Sequence, residues 1–279
     1  MTSPSSLLRA WQIRPRKSMG QHFLADPNVA AMIVRRGQFH RQDTILEIGA
    51  GLGSLTIPLA HRAKHVLAVE PDRKIAALLK NELLAARVSN VTIIERDILA
   101  CDLETLAIPS DAHLKVIGNL PYHISSQVLI YLINSRRLID RAVLMFQKEV
   151  ADRLLAGPGT KAYGRLSVLM RYCANISPVA RVAASSFYPK PKVDSTVVAI
   201  TFLEQVPFRM DDEHFLFQII RAAFGKRRKT LKNALISSDL GFNEGEVMAA
   251  LESANIDPRR RAETLSVQDF VSLANLLKA

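Results

Sequence analysis

Between residues 43 and 203, short aliphatic runs alternate with stretches of helical periodicity, and this alternation restricts the fold more than any other feature of the chain. Thr44–Ile48, Val66–Glu70, Val91–Glu95, Leu114–Ile117 and Ala142–Phe146 are rich in aliphatic residues, as strands buried on both faces must be. Leu55–Arg62 and Arg73–Ala86 lie between them, and in the second Ile75, Leu78, Leu79 and Leu83 recur at helical spacing. Ser125–Asn134 and Lys148–Leu155 continue the series. Strands that alternate with helices predict βαβ units and a parallel sheet covered on both faces, an α/β fold. Val179–Ala183 and Val193–Phe202 leave little room for a helix between them, so they are expected to pair antiparallel at the end of the sheet. Leu203–Glu213, with its Pro and acidic cluster, marks a change of pattern. Beyond it only helices are expected, over His214–Phe224, Lys229–Ser237, Glu244–Ser253 and Val267–Leu277. The predicted division is therefore a sheet domain over 1–205 and a small all-helical domain over 206–279.

Glu47-Ile48-Gly49-Ala50-Gly51-Leu52-Gly53 follows the first strand and leads into a helix. Glycines at such a turn allow positive φ and let the backbone approach a nucleoside, which nominates Gly49 and Gly51. The turn is shared by dinucleotide and S-adenosylmethionine (SAM) enzymes. The dinucleotide fingerprint requires Gly or Ala at its last position, where this chain has Ser54, and that departure disfavours a dehydrogenase. Glu70 closes the next strand, where a carboxylate accepts from ribose hydroxyls. Asp97 follows the third strand, placed to accept from an exocyclic amine. Either acid alone reads more often as a solvated loop residue or a helix cap. At successive strand ends beside a glycine turn, they are expected to line one crevice.

Asn119-Leu120-Pro121-Tyr122 comes directly after the fourth strand. Adenine N6 is a poor nucleophile because its lone pair is delocalised into the ring. An amide oxygen from Asn119 and a main-chain carbonyl after it can accept both N–H bonds and aim the lone pair at a methyl donor. Pro121 fixes the turn and Tyr122 offers a face for base stacking.

On these motifs the chain resembles the ribosomal RNA adenine N6,N6-dimethyltransferase family, and within it the bacterial small-subunit (16S) enzymes linked to kasugamycin resistance. The resemblance runs from Lys17 to about Ala274. It rests on Gly20-Gln21-His22-Phe23-Leu24, the glycine turn, Glu70, Asp97 and Asn119–Tyr122. Phe146–Val150, Tyr163–Val168, Phe187–Ser195 and Arg227–Leu231 extend it. It implies a Rossmann-like class I SAM-dependent methyltransferase sheet with a small helical C-terminal domain. SAM contacts are then expected at His22, Leu24, Gly49, Glu70, Asp97 and Asn119. The target adenine is expected to be held by Asn119 and Leu120 and stacked between Tyr122 and Phe187. His22 stands where the family often has Asn, a change of little consequence if the contact there is through backbone. The implied reaction is dimethylation of two adjacent adenines in a hairpin near the 3′ end of small-subunit rRNA.

The charge supports a polyanionic partner, since 37 Lys and Arg against 26 Asp and Glu leave a net +11. Residues 206–279 are nearly balanced, with eleven basic residues against ten acids, so any phosphate track there must be a local patch. Arg221, Lys226, Arg227, Arg228, Lys229 and Lys232 provide one, without an acid among them. Lys190 and Lys192 flank the expected stacking residue Phe187, and Arg259–Arg261 form a weaker cluster. Cys101 and Cys173 lack metal-ligand spacing, so no metal is expected and a reducing cytoplasm fits. No run approaches about 18 apolar residues, which argues against a membrane span. No secretory signal is evident; Arg9, Arg14, Arg16 and Lys17 hint at a transit peptide, but their amphipathic pattern is poor. A monomer acting on an assembling small ribosomal subunit is the expected state. A large-subunit methylase of the erythromycin-resistance type and a non-enzymatic assembly checkpoint remain the alternatives.

Overall fold

A computed structural model describes residues 2–16, 19–106, 113–208, 210, 212–226 and 228–278. The chain forms two units, one made of Met1–Ala151 with Ile176–Phe202 and the other of Asp152–Asn175 with Leu203–Ala279. This interleaving departs from the single cut expected after residue 205. Residues 165–173 explain the difference, because their helix buries Val168, Met170 and Tyr172. Within the second unit the Tyr172 ring meets Phe217 edge-on, with centroids 6.0 Å apart.

The first unit begins with helix α1 (Pro4–Ala10), the two-residue strand β1 (Phe23–Leu24) and helix α2 (Pro27–Arg36). Strand β2 (Thr44–Ile48), helix α3 (Thr56–Ala60), strand β3 (His65–Val69), helix α4 (Arg73–Ala85) and strand β4 (Val91–Ile94) follow. The chain continues through β5 (Leu114–Asn119), α5 (Ser125–Asn134), β6 (Ile139–Gln147), α6 (Lys148–Leu155) and α7 (Arg165–Cys173). It closes with β7 (Ala174–Val182), β8 (Phe187–Tyr188) and β9 (Ser195–Phe202). The main sheet has the order β4-β3-β2-β5-β6-β9-β7. All pairings from β4 to β6 are parallel, while β9 runs antiparallel to β6. The two late strands are neighbours at the end of the sheet, as expected.

The winding matters for function. From β2 the chain builds outward through β3 and β4, then returns to lay β5 and β6 on the other side of β2. Such a reversal opens a crevice at the carboxyl ends of the two central strands. Here β2 ends at Ile48, whose register partner Gly118 is one residue before the end of β5 at Asn119. Ile45, Ile117, Val143 and Val197 from the sheet pack with Leu55 and Leu59 beside α3 and with Ile33 and Val34 of α2.

Helices α1 and α2 were not expected, yet both carry explicit start signals. Ser3 and Asp26 accept hydrogen bonds from the first turns, and Pro4 and Pro27 occupy the first helical positions. In the second unit α7 joins α8 (Glu213–Phe224), α9 (Leu231–Ile236), α10 (Glu244–Ser253) and α11 (Val267–Lys278). These helices bury Leu216, Ile219, Leu235, Leu251, Phe270 and Leu273. Helix α9 starts two residues later than expected because Thr230 caps it, accepting from Asn233 N–H at 3.4 Å. Among the described residues, no helix is long and apolar enough to cross a membrane.

The central strands approach closely at Gly118, where a Cβ would lie 2.7 Å from Ile48 O. That contact is with backbone, so no side-chain rotation relieves it. Gly118→Ala is expected to lower stability by about 1–3 kcal/mol, the usual cost of overpacking, as a reduced urea midpoint.

Candidate active site

The glycine turn is shaped by backbone geometry and held by one carboxylate. Gly49 and Gly51 have φ of 74° and 56°, in the left-handed region that strains other residues. Gly49 N–H donates to Val69 O at 2.9 Å, tying the turn to β3. Glu70 accepts from Gly51 N–H through Oε2 and from Asp72 N–H through Oε1, both at 3.0 Å. One side chain thus fixes both the turn after β2 and the entry to α4. Burial pushes its carboxyl above the ordinary range, against the pull of those two N–H donors. Ser54, the residue that breaks the dinucleotide fingerprint, is buried and donates to Leu24 O at 2.6 Å. It fastens β1 to the turn.

Glu47 also lines this cleft, although sequence reasoning had used it only as part of the motif. It is 1% exposed, and its Oε2 has no hydrogen-bond partner. Burial raises its pKa to about 8, reinforced by the neighbouring Glu70. Thr56 opposes the rise, but its hydroxyl makes no hydrogen bond of ordinary geometry. A glutamate set inside an aliphatic strand, two residues before the first glycine of the turn in Ile45-Leu46-Glu47-Ile48-Gly49, was the available signal for a buried acid.

Asn119 ends β5 on the opposite wall. Its Nδ2 donates to His22 O at 2.8 Å, and because a carbonyl only accepts, this fixes the amide orientation. Oδ1 is therefore the end left as an acceptor. The His22 ring participates as well. Nδ1 lies 2.7 Å from Pro189 O and must carry the proton, while the ring stacks on Tyr122 at 5.6 Å between centroids and 28° between planes. His22 is thus tied in through its side chain as well as its backbone. Leu24 and Leu120 are 3% and 1% exposed and close the apolar floor.

Two expected members are not among the residues that line this cleft. Phe187 does not line this cleft with Tyr122. It is buried in the core and pairs with Leu24 across β1–β8, while its neighbour Tyr188 is 41% exposed. Alternation along β8 sends Phe187 inward, so the stack at the cleft is Tyr122 on His22. Asp97 is exposed at the end of β4, where it caps a short 3-10 turn by accepting from Leu99 N–H at 3.0 Å. It is not among the residues lining the cleft.

Lys190 and Lys192 are exposed on the loop that receives the His22 hydrogen bond at Pro189. In the second unit Arg221, Lys226, Arg228 and Lys229 are exposed, and Arg227 lies outside the described residues. Lys232 is partly committed to Glu244 at 2.9 Å. Of the weaker cluster, Arg259 pairs with Asp257 at 2.9 Å and Arg260 with Asp269 at 3.6 Å. Among the described residues, no group of three or more His, Cys, Asp or Glu is placed to hold a metal.

The buried Glu47 makes stability depend on pH in a defined direction. Between its ordinary value of 4.5 and about 8, the folded chain keeps a proton that the unfolded chain has released. Stability contributed through this group therefore falls as pH rises across that window. Glu47→Gln should show little relative change at pH 4 and a growing relative gain up to pH about 8, seen as urea midpoints against wild type; Glu70 retains its own slope.

Three comparisons bear on this arrangement. The family described as "Ribosomal RNA adenine dimethylase" matches residues 13–279. The "Ribosomal RNA small subunit methyltransferase A" of Desulforapulum autotrophicum is 49% identical, over 99% of this chain and 97% of its own. The protein of that name from Moorella thermoacetica is 44% identical, over 98% and 96%. Among solved structures, a dimethyladenosine transferase from Plasmodium falciparum superposes with a TM-score of 0.76 at 28% identity, over 90% of this chain and 96% of that one. The 23S rRNA methyltransferase ErmE shares the fold, with a TM-score of 0.67 at 23% identity over 92% and 100%. Matched by that family over residues 13–279 and by these relatives over nearly its whole length, the chain belongs to the ribosomal RNA adenine dimethylase family.

Proposed function

We propose that this protein transfers methyl groups from SAM to N6 of two adjacent adenines near the 3′ end of small-subunit rRNA. The observation that carries the reading is Asn119, whose amide is locked by His22 O so that Oδ1 is presented as an acceptor in the cleft. The cleft fits the donor. Gly49 and Gly51 line it without side chains, and the buried Glu47 Oε2, which has no hydrogen-bond partner, is left to accept from a donor group of the ligand. SAM supplies an electrophilic methyl group on a sulfonium.

The chain's own residues bind, orient and exclude water. Glu70 uses one lone pair of each oxygen on backbone N–H groups and keeps others for ribose hydroxyls. Asp97, at the end of β4, is assigned to the exocyclic amine of the donor's adenine. Asn119 Oδ1 and a main-chain carbonyl after it accept both N–H bonds of the target N6, which frees the lone pair for attack. Tyr122 supplies the stacking face. The amine gains positive charge during attack, so acceptors aimed at it stabilise the transition state; the methylated N6 is then acidic enough to release its proton to water, and no side-chain base is required. Exposed Arg221, Lys226, Arg228 and Lys229 supply phosphate contacts, which give affinity without sequence choice.

The relatives named for the small subunit favour that target over the large subunit, since the likeness to ErmE is one of fold. The protein is assigned to the cytoplasm, as a monomer on an assembling particle. Catalysis rather than assembly checking alone is favoured by the locked acceptor, which a purely binding protein has no use for.

Asn119→Ala is expected to abolish methylation while SAM binding is weakened but measurable by calorimetry. Primer extension on small-subunit rRNA reads the outcome, because dimethylated adenines stop reverse transcriptase. Persistence of both stops in a strain lacking this chain would refute the function.

A further inference from the structure

The arm ahead of β1 carries a surface that the chemistry above does not use. Residues 1–25 contain Arg9, Arg14, Arg16 and Lys17 and no Asp or Glu; Lys17 lies outside the described residues. At the end of α1, Trp11 N–H donates to Leu7 O at 3.1 Å and Ile13 N–H reaches back to Leu8 O at 2.9 Å. Gln12 between them has a φ of 53°. This reversal is a common way to end a helix, usually with an apolar contact across it. Here it turns Ile13 into a cluster with Leu7, Leu8, Phe23, Leu52 and Ile75. The same turn leaves Trp11, the only tryptophan of the sequence, 52% exposed.

Arg9 and Arg14, two residues before and three residues after Trp11 in the sequence, are both exposed. The arm then runs into the cleft. Arg16 N–H donates to Gln21 Oε1 at 2.8 Å, and Gln21 lines the cleft. The Arg16 guanidinium stands 3.6 Å from Asp72, the residue whose N–H holds Glu70. The nearby acids are already engaged. Asp72 is buried and caps α4 through Lys74 N–H, and Glu82 accepts from Thr2. Helix α4 adds Arg73 and Lys74, both exposed.

An exposed indole with exposed arginines near it in sequence, on an arm with no acid, matches a chain of stacked bases and phosphates. It suits an anionic membrane less well, because Leu7, Leu8 and Ile13 face inward and leave a single apolar side chain outside. We propose that Trp11, Arg9 and Arg14 form a docking surface for the single-stranded RNA that adjoins the target adenine. The inference rests on the proposed RNA substrate. It adds a second contact on the substrate, independent of the adenine cleft.

The single tryptophan makes the test direct. A hairpin RNA with two adjacent loop adenines and single-stranded flanks is titrated into the full chain. Binding is read by anisotropy of labelled RNA, and Trp11 by its own emission. The expected result is quenching that saturates with binding and is lost when the flanks are removed. Trp11→Ala should weaken binding of the flanked RNA about tenfold, with Trp11→Phe restoring most of it. Arg9→Gln with Arg14→Gln should lower the salt slope of log affinity by about 1.4. SAM binding should not change in any of these variants. RNA that binds by anisotropy with emission and variants unaffected overturns the docking surface and leaves the proposed function standing. Absence of both binding and methylation with every RNA, and with small subunits purified from a strain lacking this chain, overturns the proposed function, and the docking surface with it. Emission that responds to phosphatidylcholine–phosphatidylglycerol vesicles but not to RNA overturns it in favour of a membrane.

Discussion

The close contact of β2 and β5 at the switch point of the sheet is the constraint on which the site depends. With no side chain at Gly118, β5 can lie against Ile48 O, where a Cβ would approach to 2.7 Å. The two strands then end side by side. The glycine turn that follows Ile48 faces the Asn119 that follows Gly118 across one cleft. A parallel sheet with its order reversed at this point always leaves such a crevice. What distinguishes this chain is the chemistry placed on its two walls.

Short polar links convert that crevice into a rigid site. Ser54 to Leu24 O and Asn119 to His22 O fasten the N-terminal segment to both walls, and His22 to Pro189 O fastens it to the loop before β9. Glu70 spends both oxygens on backbone N–H groups of the surrounding turns. Polar groups buried this deeply are costly unless paired, so a satisfied network also excludes alternative local arrangements. Glu47 is the exception. It remains buried with an oxygen unpartnered, as groups intended for a ligand often are.

Much of this was legible in the sequence. Strands Thr44–Ile48 and Val91–Ile94 and helices Arg73–Ala85 and Ser125–Asn134 were readable because their apolar periods extend over one or more turns or full strands. Glu70, the glycine turn and Asn119 were readable because they stand at strand ends. The burial of Phe187 was not readable because β1 and β8 are two residues each, and only their pairing over a long sequence distance sends it inward. Asp97 lay outside the cleft lining because its local role as a cap governs its position. The segment 152–175 joined the helical unit because its apolar face finds Phe217, a contact no local pattern announces.

The sequence alone determined the α/β class, the order of the main strands along the chain, the glycine turn after β2 and the asparagine that ends β5 in the cleft. These are properties of local periodicity and of short motifs whose backbone requirements are strong. Only the tertiary structure decided the roles that depend on distant partners. The amide of Asn119 is oriented by a carbonyl 97 residues earlier. The tautomer of His22 is set by a carbonyl 167 residues later. The protonation of Glu47 is set by burial that the whole sheet creates. Hydrogen-bond direction and desolvation depend on what surrounds a group in space, and a linear pattern carries neither.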